Sequence, residues 1–198
     1  MKKTIVKFIS TLRLAVVLAL LLTSCHKQDK EDRNEHIVFC APIPDSLKVP
    51  AGNSLQLQAF ARGVQIYQVK RSAANPAVIS WVNIAPLATL YEKPDFTNPV
   101  ILHYAGPTWE FTKGAAKGEK VVAARLQGVT KNATAIQWLL LKAVDSLSTA
   151  NNKITFVQRI CTTGGLAPAS GADEAHVGQL DSIPYTASYL FYTRSGVY

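Results

Sequence analysis

The chain has 198 residues, of which 48% are hydrophobic and 17% charged, a composition typical of a globular protein rather than a disordered one. The formal net charge is +8, but residues 1–24 hold four of the basic residues and no acidic one, so 17 basic and 13 acidic residues remain, a net charge of +4. This mild charge, without clusters of Lys and Arg among aromatic residues, argues against nucleic acid as a partner.

The first 24 residues have the pattern of an export signal. Basic residues precede a continuous apolar run, Leu14–Leu22, which is shorter than the roughly 20 apolar residues that a membrane-spanning helix needs. Thr23 and Ser24 then lead into Cys25, and this end resembles the bacterial lipobox, in which the peptide is cut before the cysteine and the cysteine is acylated. We predict a lipoprotein signal peptide over residues 1–24 and acylation of Cys25 with chains such as palmitate. A plain secretory signal and an uncleaved anchor are the alternatives.

Residues 25–36 are predicted to be the acylated cysteine and a polar tether. Residues 26–36 contain no apolar side chain, so this segment buries nothing and is expected to act as a flexible spacer. Lys30-Glu31-Asp32 resembles the short acidic signals that send some lipoproteins to the outer cell surface, although a solvated charge run has the same composition. Because several acyl chains hold a protein firmly to a membrane, we expect a lipid-anchored protein of the cell envelope, in the outer membrane on its periplasmic or surface face.

Two further cysteines, Cys40 and Cys161, follow the tether. The compartment outside the inner membrane is oxidising, so the two could form a disulfide. A bridge across a loop of about 120 residues would stabilise the fold by about 4–5 kcal/mol. Two separate buried thiols remain the alternative.

From Ile37 onward, short apolar runs alternate with turn residues. Ser54–Phe60 and Val64–Val69 show the alternation of half-buried strands, and Arg62-Gly63 is predicted to interrupt them. Val78–Ile84 is rich in β-branched and aromatic residues, and Pro86 is predicted to end it. The same patterns predict further strands at residues 88–91, 100–104, 108–111, 120–127, 153–161 and 185–194.

Ala135–Leu147 is a nearly continuous apolar run that fits a buried strand or a short helix, since periodicity does not separate the two. We predict a strand over Trp138–Ala143. About 8–10 short strands with turn signals between them are typical of an all-β protein. We therefore predict that residues 37–198 form one all-β domain, either a β-sandwich or a barrel.

The candidate functional site is the sequence HYAGPTWE, His103–Glu110. A turn at Gly106-Pro107 is predicted to bring His103 near Glu110, and a histidine beside a carboxylate serves as a general base. Both are candidate catalytic residues, and Tyr104 and Trp109 are candidate binding residues. The structural alternative is that the aromatic residues fill the core while His103 and Glu110 satisfy each other.

A second candidate is Arg159, which with the loop Gly164–Pro168 could bind an anion; a cross-strand pair with a carboxylate is the alternative. The four histidines, His26, His36, His103 and His176, show no HxH or HxxxH spacing, so no metal site is predicted. No G-x-S-x-G nucleophile motif occurs, which argues against a serine hydrolase. No G-x-G-x-x-G dinucleotide motif occurs either, and no cofactor is predicted.

Three Asp-Ser-aliphatic triplets, at residues 45–47, 145–147 and 181–183, resemble an O-glycosylation signal of exported bacterial proteins, although Asp-Ser is also common in turns.

Several long motifs occur in a set order along the domain: VPAGNSLQLQAFARGVQIYQV, Trp81 to Tyr91, HYAGPTWE, AIQWLLL, QRICTTGGLAP and PYTASYLFY. Together they resemble an uncharacterised secreted family, domain of unknown function 3455, over roughly Val49–Tyr192. The resemblance implies no established activity. Relatives often carry a cysteine just after the strand at Ile66-Tyr67, where this chain has Gln68-Val69-Lys70, so no disulfide is carried over.

Two functions fit these observations. The first is a binding or structural module displayed on the membrane, using a surface around His103, Trp109 and Glu110. The second is a hydrolase or lyase that acts on carbohydrate-like material with His103 and Glu110 as acid and base. The lack of a nucleophile motif or a metal cluster favours the first.

Overall fold

A computed structural model describes residues 39–144 and 154–196. The predicted signal peptide, Cys25, the tether and the Asp145–Leu147 triplet lie outside the described residues. The predicted all-β class is confirmed, and the architecture is a closed barrel in which eight antiparallel strands pair in chain order and the last pairs with the first. The strands are β1 Asn53–Arg71, β2 Ile79–Tyr91, β3 Pro99–Tyr104, β4 Thr108–Phe111, β5 Lys120–Val129, β6 Trp138–Ala143, β7 Ile154–Gly164 and β8 Leu180–Arg194.

The described part of the chain has no helix with the length and apolar character needed to cross a membrane. Its only helical segments are two single 3₁₀ turns, Asp45–Leu47 and Glu174–His176.

The break predicted at Arg62-Gly63 is wrong, because β1 runs without interruption through Gly63, which pairs with Ala88 of β2. A Cβ atom at position 63 would lie 2.2 Å from the carbonyl oxygen of Leu87 and 2.5 Å from Cα of Ala88. The glycine therefore marks a place where two strands approach closely, not a turn.

The end predicted at Pro86 is also wrong, because Pro86 lies inside β2 and pairs with Gln65. A bulge at Ile66/Tyr67 follows in the same ladder. Proline has no N–H to donate and is tolerated beside such an irregularity. These two continuous strands explain why the barrel has eight strands, at the lower end of the predicted range.

One half of the barrel interior is filled with apolar side chains, and we call it the closed end. Phe111, the last residue of β4, and Phe191, near the C-terminal end of β8, lie there with ring centroids 6.1 Å apart. Leu90, Ile101 and Val121 complete this packing and have no exposed surface. Burial of this kind contributes roughly 25 cal/mol per Å² of apolar surface.

The outer wall carries a second apolar cluster beneath residues 39–52, which we call the strap. Leu47 of the strap has no exposed surface and packs on Trp138, Leu140 and Leu190. A disulfide between Cys40 and Cys161 joins the strap to β7. The predicted strand Trp138–Ala143 is confirmed, and its apolar run is continuous because one face lies in the barrel and the other beneath the strap.

Candidate functional site

The sequence HYAGPTWE forms the β3–β4 hairpin. A three-residue turn, Ala105–Pro107, pairs Tyr104 with Thr108, and so His103 with Trp109 and Leu102 with Glu110. Gly106 has a φ of +118°, and a Cβ atom there would lie 2.8 Å from Oγ1 of Thr108. The turn therefore needs glycine at this position.

The predicted proximity of His103 and Glu110 is wrong. Directly opposed residues of an antiparallel pair share one face of the sheet, so His103 points inward with Trp109 while Glu110 points outward with Leu102. On the outside, the Tyr104 hydroxyl donates a 2.7 Å hydrogen bond to Oε2 of Glu110, and Nζ of Lys120 lies 3.4 Å from the same oxygen. The Tyr104 hydrogen bond is the main cause of a lowered pKa at Glu110. His103 and Glu110 therefore do not form an acid/base pair.

His103 is buried inside the barrel, with only 2% of its surface exposed. Its ring stacks on Trp109 at 4.4 Å between centroids and meets the edge of Tyr189 at 5.2 Å. Burial lowers the pKa of His103 to about 3, against the opposing effect of its hydrogen bond with Thr108. The imidazole is therefore neutral at pH 7. Its Nδ1–H donates to the Thr108 carbonyl oxygen at 2.8 Å, which leaves Nε2 as an acceptor.

Beyond His103 the barrel is not filled, and we call this half the open end. It holds a cavity of about 460 Å³ beside the β3–β4 turn, a size within the range of small-molecule sites. Apolar and aromatic side chains form much of its wall: Ile84, Trp109, Ile136, Leu139, Leu141, Leu166 and Tyr189.

Two arginines also line the cavity, Arg159 of β7 and Arg125 of β5. Arg159 pairs with Leu139 and Tyr189 on the inward face and is half-buried. Its Nε and Nη2 atoms donate to the carbonyl oxygen of Gln137 at 3.1 and 2.9 Å. Arg125 is exposed at the rim, and its Nη2 donates to Oε1 of Gln137 at 2.9 Å.

Polar groups deeper in the wall are incompletely paired. The Tyr67 hydroxyl donates to the carbonyl oxygen of Gly165 at 2.6 Å, and Oε1 of Gln65 accepts from Asn83 at 3.0 Å. Nε2 of Gln65 and Nε1 of Trp109 are buried and have no hydrogen-bond partner in the described part of the chain. Buried donors normally have partners, so these two N–H groups are exceptions within the described part of the chain.

The structure brings together three of the residues singled out in the sequence, His103, Trp109 and Arg159, and places Tyr104 and Glu110 outside the barrel. Sequence reasoning missed Gln65 and Tyr67. Both lie on one face of the alternating segment Val64–Val69, and the structure shows that this face is the buried one. Polar side chains on a buried face of a strand are unusual and are a signal of a lined cavity.

Metal ligation and thiol chemistry were the other possibilities that the sequence raised. No three His, Cys, Asp or Glu side chains of residues 39–144 and 154–196 lie close enough to hold a metal ion. Cys161 is half-buried in the disulfide and does not titrate.

Comparison with known proteins gives one match. The family described as a protein of unknown function, DUF3455, matches residues 50–193, a range that includes all eight strands except the last residue of β8. No curated protein and no solved structure matches the chain. The chain therefore belongs to the DUF3455 family.

Proposed function

We propose that the protein is a binding module of the cell envelope, anchored through acyl chains on Cys25, and that its barrel holds a small molecule at the open end. The observation that carries this proposal is the cavity of about 460 Å³ beside His103, Trp109 and Arg159. Barrels of eight strands are wide enough to hold one small ligand, and ligand sites combine apolar walls with a few polar groups.

The enzyme alternative has no comparable support. His103 lacks a carboxylate beside it, and its pKa of about 3 makes it a weak general base at neutral pH. The predicted export signal and the disulfide support a compartment outside the inner membrane, where such bridges persist.

Binding of a neutral fluorescent probe, N-phenyl-1-naphthylamine, tests the cavity. Leu139→Trp adds an indole to the cavity wall, whereas Leu102→Trp adds the same group to the exposed outer face of β3. We expect the wild type and Leu102→Trp to bind the probe alike, and Leu139→Trp to bind it at least tenfold more weakly. Membranes, micelles or the leader would bind the probe equally in all three preparations, so only the difference counts.

Equal binding by the three folded proteins would contradict the proposal and leave a purely structural role. If Leu139→Trp lowers the melting temperature strongly, Leu166→Trp replaces it, because Leu166 lies at the exposed rim of the same cavity.

The anchor is tested by Cys25→Ala. We expect the wild-type protein to incorporate labelled palmitate and to sediment with membranes, and the variant to do neither. Labelling of both proteins would contradict acylation at Cys25.

A further inference from the structure

The charge of the cavity wall has one sign. Arg125 and Arg159 are the only charged residues that line it, and no Asp or Glu of the described residues does. His103 is neutral at pH 7, so it neither adds to this charge nor balances it. A concave, low-dielectric site lined by one sign of charge attracts the opposite charge.

Arg159 is the group best placed to bind that charge. A guanidinium has five N–H donors, and only Nε and Nη2 of Arg159 are engaged, both with the Gln137 carbonyl oxygen. No carboxylate of the described residues forms an ion pair with it. A half-buried arginine without a counter-ion is costly, and an anionic ligand would supply one.

The rest of the wall indicates an organic anion with a single charge. Leu139, Leu141 and Tyr189 provide apolar surface for the body of such a ligand. A planar carboxylate matches the guanidinium fork. A doubly charged phosphate would leave one charge unmatched, because Arg125 lies out at the solvent-exposed rim.

We propose that the open end selects a small carboxylic acid, with its carboxylate on Arg159 and its apolar body against Tyr189 and the Trp109–His103 stack. This inference rests on the proposed binding function and adds the chemical class of the ligand. It also gives Arg159 a role as the specificity-determining residue of the cavity.

Calorimetric titration of the full chain with three probes tests the proposal: 2-naphthoate, its neutral isostere 2-naphthamide, and 2-naphthyl phosphate. We expect the wild type to bind naphthoate at least tenfold more tightly than naphthamide, a difference of about 1.4 kcal/mol, and also more tightly than the phosphate. Arg159→Gln should lose the preference for naphthoate over naphthamide and keep naphthamide binding. Arg159→Lys keeps the charge without the fork and should retain only part of the preference. The matched control is Arg194→Gln, which removes the exposed arginine that ends β8 and does not line the cavity. It should leave the affinity for all three probes unchanged.

Equal affinity for naphthoate and naphthamide, or a preference that survives Arg159→Gln, would overturn the proposal. Tighter binding of naphthyl phosphate would overturn the carboxylate assignment. If N-phenyl-1-naphthylamine still binds in the cavity in either case, the proposed function stands and only the ligand class fails. If neither that probe nor any naphthyl compound binds, both fail.

Discussion

The two ends of the barrel interior are built from different kinds of residues. At the closed end, Phe111, Phe191 and Leu90 pack with little or no exposed surface. At the open end, His103, Trp109 and Arg159 surround a cavity. The same strands pass through both ends, so the difference comes from the side chains that each strand presents at each level.

This difference separates the residues that stabilise the fold from those of the proposed binding site. A filled half-barrel, with the strap cluster outside it, provides the apolar burial that holds the strands together. The open end can then keep unpartnered donors and an unpaired arginine, features that cost stability and are typical of binding sites. Substitutions at the two ends should therefore affect different properties.

The largest effect is expected at the closed end, from Phe191→Ala. Removal of a fully buried ring leaves a void, and such substitutions cost about 3–5 kcal/mol of unfolding free energy. Denaturant unfolding measures the loss, and probe binding by the protein that remains folded should be unchanged. Leu102→Ala, on the exposed outer face, is the control and should change stability by less than about 0.5 kcal/mol. A large loss of probe affinity in folded Phe191→Ala would mean that the two ends are coupled.

The next effect is expected outside both ends, from the double substitution Cys40→Ser and Cys161→Ser. The bridge joins residues 121 positions apart, and removal of a disulfide from a small exported domain typically costs about 2–5 kcal/mol. Thermal unfolding with and without reductant measures it, because reductant should lower the melting temperature of the wild type but not that of the variant. Probe binding should persist, since the strap lies on the outer wall. No stability difference between oxidised and reduced wild type would contradict the assignment.

A smaller, pH-dependent effect is expected at the open end, from His103. The pKa of its imidazole is lowered from 6.5 to about 3 in the folded protein. Between these values the unfolded chain binds a proton that the folded protein does not. The unfolding free energy should therefore be highest above pH 6.5 and fall as the pH falls, by up to about 1.4 kcal/mol per pH unit, which amounts to about 2 kcal/mol between pH 6.5 and 5.

The measurement is unfolding free energy from pH 7.5 to 5 for the wild type and for His103→Gln, which cannot titrate. Carboxylates with lowered pKa values, such as those of Glu110 and Asp95, lose their contribution mostly below this range and are common to both proteins. The wild type should show the steeper decline. Parallel curves would mean that His103 is not held neutral by burial.

The smallest effect is expected from Glu110→Gln on the outer face. Its carboxylate contacts Tyr104 and Lys120 in solvent, where such interactions contribute little. We expect the melting temperature to shift by no more than about 2 °C and probe binding to stay unchanged. Loss of probe binding would restore Glu110 to the candidate site and contradict the separation of the two faces.

Local patterns were enough for most of the strands. Alternation predicted the bounds of β3 and β4 closely, because side chains of a strand alternate whatever its partner is. The continuous apolar run of β6 was also correctly predicted to be a strand. The same patterns wrongly predicted breaks in the strands at Gly63 and Pro86. Glycine and proline are common in turns, but glycine also occurs in strands at a close approach of two backbones, and proline beside a bulge.

The candidate site could be predicted only in part from local sequence patterns. The sequence by itself determined an all-β domain, its strands and the candidate residues His103, Trp109 and Arg159. Only the tertiary structure decided which of them meet. Register depends on turn length and on pairing between strands distant in the chain. In the register observed here, His103 points into the barrel and Glu110 points outward. The strand pairing also brought Arg159, 56 positions further along, to the same cavity as His103.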